Sequence, residues 1–142
     1  MFNLPLPTFS PGNLHPILVN FTAALVPVSV ASDFFGRILN RESLRSTGWW
    51  TLVYATAITP FTALAGWWWK GQVIDMLSAQ LILEHQILGI SLAVALVALA
   101  AWRYSAYRKD APLPVMYFML AVAVVFALVI QGAIGGKMLL GS

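Results

Sequence analysis

Apolar residues fill four long stretches of the chain, and short polar segments separate them. The stretches cover residues 16–39, 49–69, 76–102 and 113–140. A helix needs roughly 20 mostly apolar residues to cross the hydrocarbon core of a bilayer, and each stretch is long enough. The pattern therefore predicts an all-α fold, an integral-membrane four-helix bundle that forms a single four-span domain over residues 1–142.

Composition supports the membrane assignment and excludes several other classes of protein. Hydrophobic residues make up 60% of the chain and charged residues only 9%, whereas soluble domains contain about 45–50% apolar and about 25% charged residues. The absence of cysteine excludes disulfides, thiolate zinc sites and iron–sulfur clusters. No phosphate-binding glycine-rich loop and no Gly-x-Ser-x-Gly motif is present, so we do not expect nucleotide-driven or hydrolytic chemistry.

The basic residues flank the apolar stretches asymmetrically. Six of them belong to the connections between stretches one and two or between stretches three and four: Arg37, Arg41, Arg45, Arg103, Arg108 and Lys109. Only Lys70 and Lys137 lie at the opposite side. By the positive-inside rule, both of these connections are expected in the cytoplasm and both termini outside. The net charge of +3 therefore reflects membrane topology, and we expect no nucleic-acid partner.

The two histidines are the strongest candidates for a functional role. His15 and His85 are the only histidines, and each begins the string His-x-Ile-Leu in an apolar stretch. Ionisable side chains within membrane spans are rare and commonly functional. Two imidazoles from two spans can be the axial ligands of one b-type haem. Interhelical hydrogen bonding, proton transfer and binding of another metal remain alternatives.

A weak internal repeat relates the two halves of the chain. His15 precedes Lys70 by 55 positions, and His85 precedes Lys137 by 52. Each half thus contains a histidine-bearing helix and a returning helix with glycines near its end. Two such halves in the same orientation predict pseudo-symmetric helix pairs about an axis along the membrane normal. This symmetry would place the two histidines opposite one another.

Several glycines and two polar residues surround the histidines in the sequence. The glycines would let a haem or a neighbouring helix approach the backbone closely; they are Gly89, Gly132, Gly135 and Gly136. Packing between helices is their alternative role. Glu84 and Gln131 form a possible proton or polar site, because they lie at a depth similar to that of His85. We interpret Asp33 and Arg37 as a structural i,i+4 pair.

Motifs along nearly the whole chain form a recognisable set: Leu14-His15-Pro16-Ile17-Leu18-Val19-Asn20-Phe21, Ser32-Asp33, Ala63-Leu64-Ala65-Gly66-Trp67, His85 and Gly132-x-x-Gly135-Gly136. This set resembles the DUF2231 family of small four-span bacterial membrane proteins. Two positions depart from the family pattern. Asn20 stands where a histidine or other polar residue is common, and Trp68 stands where an aspartate is common. The resemblance implies the bacterial inner membrane, where the orientation expected from the basic residues would make both termini periplasmic. It also implies similarity to four-helix b-type cytochromes.

We therefore expect a membrane electron-transfer protein that binds one haem b through His15 and His85 near the outer face. Quinone is a possible second cofactor. The expected partners are the lipid bilayer and either other membrane redox subunits or a second copy, and no stand-alone enzyme activity is expected. Two alternatives remain open. One is a haem-free structural subunit of a respiratory or photosynthetic complex; the other is a solute or proton transporter component that uses Glu84, His85 and Gln131.

Overall fold

The computed structural model describes residues 11–73 and 77–140, which form four helices. They are α1 (Pro11–Ile38), α2 (Glu42–Val73), α3 (Ala79–Arg108) and α4 (Val115–Leu140). The described residues contain no strand, so the predicted all-α four-helix bundle is confirmed. α1, α2 and α3 extend beyond the predicted apolar stretches because helical hydrogen bonding continues into their polar flanks. The predicted start of the third stretch at Met76 lies outside the described residues.

Three of these helices are long and apolar enough to cross a membrane, namely α1 from Leu14, α3, and α4 as far as Met138. The chain is therefore a membrane protein with several embedded helices. Polar residues keep α2 out of this group. Two of them, Thr59 and Thr62, donate their hydroxyls to the carbonyl four residues earlier, which satisfies them inside the helix. The membrane crossing of α2 stays a prediction.

Large apolar side chains cover the outside of all four helices. They include Phe21 and Phe35 on α1, Phe61 and Leu64 on α2, Ile87 and Val94 on α3, and Phe126 and Val129 on α4, all exposed. Monomeric soluble proteins rarely expose continuous apolar surface of this extent. Such a surface fits contact with the lipid bilayer.

The helices form a ring in chain order, so α1 and α3 occupy one diagonal and α2 and α4 the other. Helix backbones contact each other in the pairs α1–α2, α2–α3, α3–α4 and α1–α4, and among the described residues they do not meet across a diagonal. α1 packs most extensively on α2, and the other three pairs are looser. Because each connection reverses the chain direction, α1 and α3 run parallel.

Buried positions recur at a fixed offset between the two helix pairs. The buried residues of α1 have counterparts 70 positions later in α3: Thr22, Val26, Ser29, Asp33 and Gly36 match Leu92, Leu96, Leu99, Arg103 and Ala106. Those of α2 have counterparts 69 positions later in α4: Gly48, Leu52 and Ala55 match Tyr117, Ala121 and Val124. Equivalent faces therefore point inward in both pairs, which agrees with the predicted pseudo-symmetry.

An apolar core separates two polar ends of the bundle. Val26, Leu52, Leu96 and Ala121 belong to one buried cluster in the middle of the four helices. The histidine end lies at the starts of α1 and α3 and contains His15 and His85. The ion-pair end lies at the opposite side of the core and contains Asp33 and Arg103.

Candidate functional site

The two histidines meet across the diagonal at the histidine end. The ring centroids of His15 and His85 are 6.0 Å apart, and the ring planes are inclined by 77°. α1 begins at Pro11, so His15 already lies in a helical turn and reaches the level of His85. The arrangement agrees with the opposed histidines that the internal repeat predicts.

His15 is held in one orientation by the backbone and an indole ring of α2. Its Nδ1 donates to the carbonyl oxygen of Thr62 at 2.9 Å, and its ring stacks on Trp69 at a centroid distance of 6.1 Å. A carbonyl only accepts hydrogen bonds, so Nδ1 carries the proton and Nε2 keeps its lone pair. A Cβ on Gly66 would lie 2.8 Å from Cε1 of His15. Glycine at position 66 therefore makes room for the imidazole.

His85 is held by the buried amide of Gln131. The Gln131 amide nitrogen lies 3.0 Å from the His85 carbonyl oxygen and 3.2 Å from His85 Nε2. Because the carbonyl must accept, this atom is the amide NH₂ group, and Nε2 of His85 accepts its second hydrogen bond. The ring proton then resides on Nδ1, which is buried and has no partner among the described residues; the same holds for Gln131 Oε1.

Two of the four predicted glycines adjoin these polar groups. A Cβ on Gly89 would lie 3.0 Å from the Gln131 amide nitrogen, and one on Gly135 would lie 3.3 Å from His85 Cε1. Both glycines thus allow close packing around the His85–Gln131 pair. A Cβ on Gly132 or Gly136 would meet nothing within 4 Å of the described structure. Those two glycines do not border the site.

A cavity of about 240 Å³ adjoins both histidines and is lined mainly by α2 and α3. Most of its wall is apolar, while Gln131, Lys70 and Gln86 supply polar groups. Lys70 Nζ donates to Gln86 Oε1 at 2.9 Å. The exposed side chains of Trp67 and Ile90 also belong to the wall. The cavity is therefore partly open along the loosely packed boundary between α2 and α3.

Glu84 lies away from this site, contrary to its predicted link with Gln131. Its side chain is exposed and accepts a hydrogen bond from Gln80 at 2.7 Å. Successive helix positions point about 100° apart, so the rotation of α3 that turns His85 inward turns Glu84 outward. Of the two predicted polar residues, Glu84 and Gln131, only Gln131 lies next to His85.

Sequence reasoning missed Thr62 and Trp69 as neighbours of His15. Thr62 acts through its backbone carbonyl, which leaves no trace in residue type. The repeat contains a signal, since Gln131 lies 69 positions after Thr62, the offset that relates α2 to α4. Each histidine is therefore held by the same position of the helix that follows it.

The predicted pairing of Asp33 with Arg37 is wrong. Asp33 Oδ1 lies 2.6 Å from Arg103 Nη2 on α3, and both residues are buried. Arg37 instead donates to the carbonyl oxygen of Leu113 and lies over the Phe118 ring. A buried carboxylate requires a counter-charge in its own low-dielectric surroundings, and the inward rotation of Asp33 brings it to Arg103. The shared offset of 70 positions was the available signal.

The described donor set does not form a closed metal site. The described residues contain no cluster of three or more His, Asp or Glu side chains that could hold a metal ion. Structural zinc sites usually need four protein ligands. Two imidazoles beside a mainly apolar cavity are the donor groups that the described residues bring together here.

Comparison with known proteins identifies one family. A family model described as predicted membrane protein (DUF2231) matches residues 11–141. The match covers all four helices and includes both histidines. A search of curated proteins and a search of solved structures found no match.

Proposed function

Because the chain belongs to the DUF2231 family of predicted membrane proteins, whose description assigns no activity, we propose a function from its own geometry. The protein binds one b-type haem between His15 and His85 and transfers electrons within a bacterial inner membrane. The observation that carries this proposal is the meeting of the two histidines across the diagonal, 6.0 Å apart, beside an apolar cavity.

The distance between the rings supports axial ligation. Imidazole nitrogens bind metals at about 2.0–2.1 Å, so two rings on opposite sides of one ion have centroids roughly 6 Å apart. His15 offers Nε2, since Nδ1 is fixed on the Thr62 carbonyl. Such an outer hydrogen bond orients a ligating histidine and raises its basicity. His85 offers Nε2 once the Gln131 amide releases it, because its Nδ1 edge faces Gly135.

The shape of the cavity suggests how a haem would enter. Its volume of about 240 Å³ is below the roughly 300–1,000 Å³ of most cofactor pockets. However, it is partly open between α2 and α3, whose packing is loose. We expect a flat ligand to enter from that side and to keep one edge against lipid. Lys70 brings a positive charge to this side of the cavity, which favours a ligand with an anionic edge.

A haem in this site would supply one-electron oxidation and reduction of its iron. Held by His15 and His85, the iron would have no open position, which would favour electron transfer over oxygen chemistry. By the positive-inside rule, the basic residues support an orientation with the ion-pair end in the cytoplasm and both termini in the periplasm. The haem would then lie near the outer face, between a membrane donor such as a quinol and an outer acceptor. Another redox subunit or a second copy is the proposed protein partner.

The first test is the absorption spectrum of the purified protein. We expect detergent-purified protein from haem-supplemented cells to show the reduced-minus-oxidised bands of a low-spin b haem, with one haem per chain. His15→Ala and His85→Ala should each abolish them. Glu84→Gln is the matched control, because Glu84 is exposed beside His85 in the sequence and outside the site; it should retain the spectrum.

Two results would contradict the proposal. A stable protein that stays colourless after reconstitution with haemin would show that it does not bind haem. Copurification in fixed ratio with a larger complex would then favour the structural-subunit alternative. Retention of a full low-spin spectrum in either histidine variant would assign the ligands elsewhere. The transporter alternative has lost one of its three residues, since Glu84 does not contact His85 or Gln131.

A further inference from the structure

A second polar contact crosses the same diagonal as the histidines. Among the described residues, no Cα atom of α1 lies within 8 Å of a Cα atom of α3, so only side chains connect these two helices. At the ion-pair end, Asp33 Oδ1 and Arg103 Nη2 are 2.6 Å apart. At the histidine end, the rings of His15 and His85 face each other. Both contacts join equivalent positions of the repeat.

The spacing along each helix connects the two contacts. Asp33 lies 18 positions after His15, and Arg103 lies 18 positions after His85. At 3.6 residues per turn, this separation is about five turns, so both members on each helix point to the same side. A rotation or axial slide of α1 against α3 that changes one contact must therefore change the other.

The surroundings of the ion pair restrict its geometry. A Cβ on Gly48 would lie 2.7 Å from Cγ of Asp33, so the carboxylate lies directly against the α2 backbone. Ser29 donates to the Gly48 carbonyl at 2.6 Å and joins α1 to α2 one turn away from Asp33. Arg103 Nη2 also donates to the Arg45 carbonyl at 2.6 Å. The ion pair is therefore anchored to α2 from both sides.

We propose that Asp33 and Arg103 are positioning residues that set the axial register of α1 against α3, and thereby the spacing of His15 and His85. Apolar side chains alone permit several registers of similar energy, since a helix can slide by a turn and repack. A single buried polar contact selects one register, which is the best-attested role of such groups. The value of this register for a cofactor rests on the haem function proposed above. The register itself can be measured in haem-free protein.

The test measures distances between spin labels in the full chain in lipid nanodiscs, without haem. The chain has no cysteine, so two introduced cysteines are the only labelling sites. Labels replace the exposed Ile17 on α1 and Val97 on α3. This pair is offset along the bundle axis, so sliding changes the distance. A control pair, Ile17 and the exposed Tyr54, reports on the tightly packed α1–α2 pair.

The main variant is Asp33→Asn combined with Arg103→Met, which removes both charges and leaves no unpaired buried ion. We expect this double variant to fold and to leave the α1–α2 distribution unchanged. The α1–α3 distance distribution should broaden or gain a population shifted by up to about one helical turn of 5.4 Å. Arg103→Lys keeps the charge but replaces the planar guanidinium, whose Nη2 contacts both Asp33 and the Arg45 carbonyl, with the ammonium of a flexible side chain. It should broaden the α1–α3 distribution less.

Glu42→Gln removes an exposed pair with Arg45 and should change neither distribution. A parent-like α1–α3 distribution in the double variant would overturn the proposal. If the double variant does not fold, Arg103→Lys decides, and a parent-like distribution there overturns it equally. Absence of haem would refute the proposed function without affecting these distances, so the two failures are distinguishable.

Discussion

The histidine end and the ion-pair end each join equivalent positions of the repeat across the same diagonal, but they are packed in opposite ways. Asp33 and Arg103 are only 3% and 7% exposed, and they are in direct contact. The two histidines are partly buried, their rings are 6.0 Å apart, and they border a cavity. One end is therefore closed around its own polar pair, and the other has space for a ligand.

Both ends contain buried polar atoms without a hydrogen-bond partner among the described residues; at the ion-pair end they are Asp33 Oδ1, Asp33 Oδ2 and Arg103 Nη1. At the ion-pair end, the charges compensate each other and Arg103 also bonds to the α2 backbone. At the histidine end, His85 Nδ1 and Gln131 Oε1 are buried without a partner among the described residues. Buried polar atoms without hydrogen-bond partners reduce stability. At the ion-pair end the opposite charges offset part of this cost, whereas the described residues of the histidine end contain no such charge pair. The ion-pair end is therefore closed around a charge pair, whereas the histidine end leaves two imidazoles beside a cavity.

The largest expected effect comes from breaking the buried contact at the ion-pair end. Asp33→Ala leaves the Arg103 guanidinium buried without its counter-charge, which should lower the free energy of unfolding by about 3–5 kcal/mol. Denaturant titration of detergent-solubilised protein measures it. Glu42→Gln breaks an exposed ion pair of 3.7 Å and should cost no more than about 1 kcal/mol. Equal losses of unfolding free energy in the two variants would show that the buried pair stabilises the protein no more than the exposed pair does.

At the histidine end, we expect a substitution of Gly66 to have a smaller effect on stability but a large effect on haem binding. In Gly66→Ala the new Cβ would lie 2.8 Å from His15 Cε1 and 2.9 Å from Nδ1, so the ring must move off the Thr62 carbonyl. The lost hydrogen bond corresponds to about 0.5–1.5 kcal/mol of stability, while haem affinity should fall because His15 is displaced. Gly132→Ala is the control, since nothing lies near its Cβ. Haem titration should give a lower affinity for Gly66→Ala than for Gly132→Ala. Equal affinities would contradict the assigned role of Gly66.

The smallest expected effect has the opposite sign. Gln131→Ala removes the amide that occupies His85 Nε2, so a haem no longer has to displace it. A hydrogen bond of about 0.5–1.5 kcal/mol corresponds to a rise in haem affinity of roughly 2- to 10-fold. The exposed Gln80→Ala serves as the control. A fall in affinity would instead mean that Gln131 supports the bound cofactor.

The sequence allowed much of the fold and the main pair of site residues to be predicted. Long apolar stretches indicated the helices, and two histidines in equivalent strings indicated the contact between α1 and α3. The role of Asp33 was mispredicted, because a local i,i+4 rule assigned it to Arg37 and ignored the direction in which α1 faces its neighbours. Glu84 was mispredicted for the same reason, since depth along a helix says nothing about which face a residue occupies.

The sequence by itself determined the properties that depend on neighbouring positions in the chain. Stretch length and hydropathy specify which segments form membrane helices, and the recurrence of equivalent residues specifies two related halves. Only the tertiary structure decided which polar groups meet, that Gly66 makes room for His15, and that the cavity opens between α2 and α3. Those features depend on the rotation and spacing of whole helices, which are set by packing across the bundle and have no representation in any single segment.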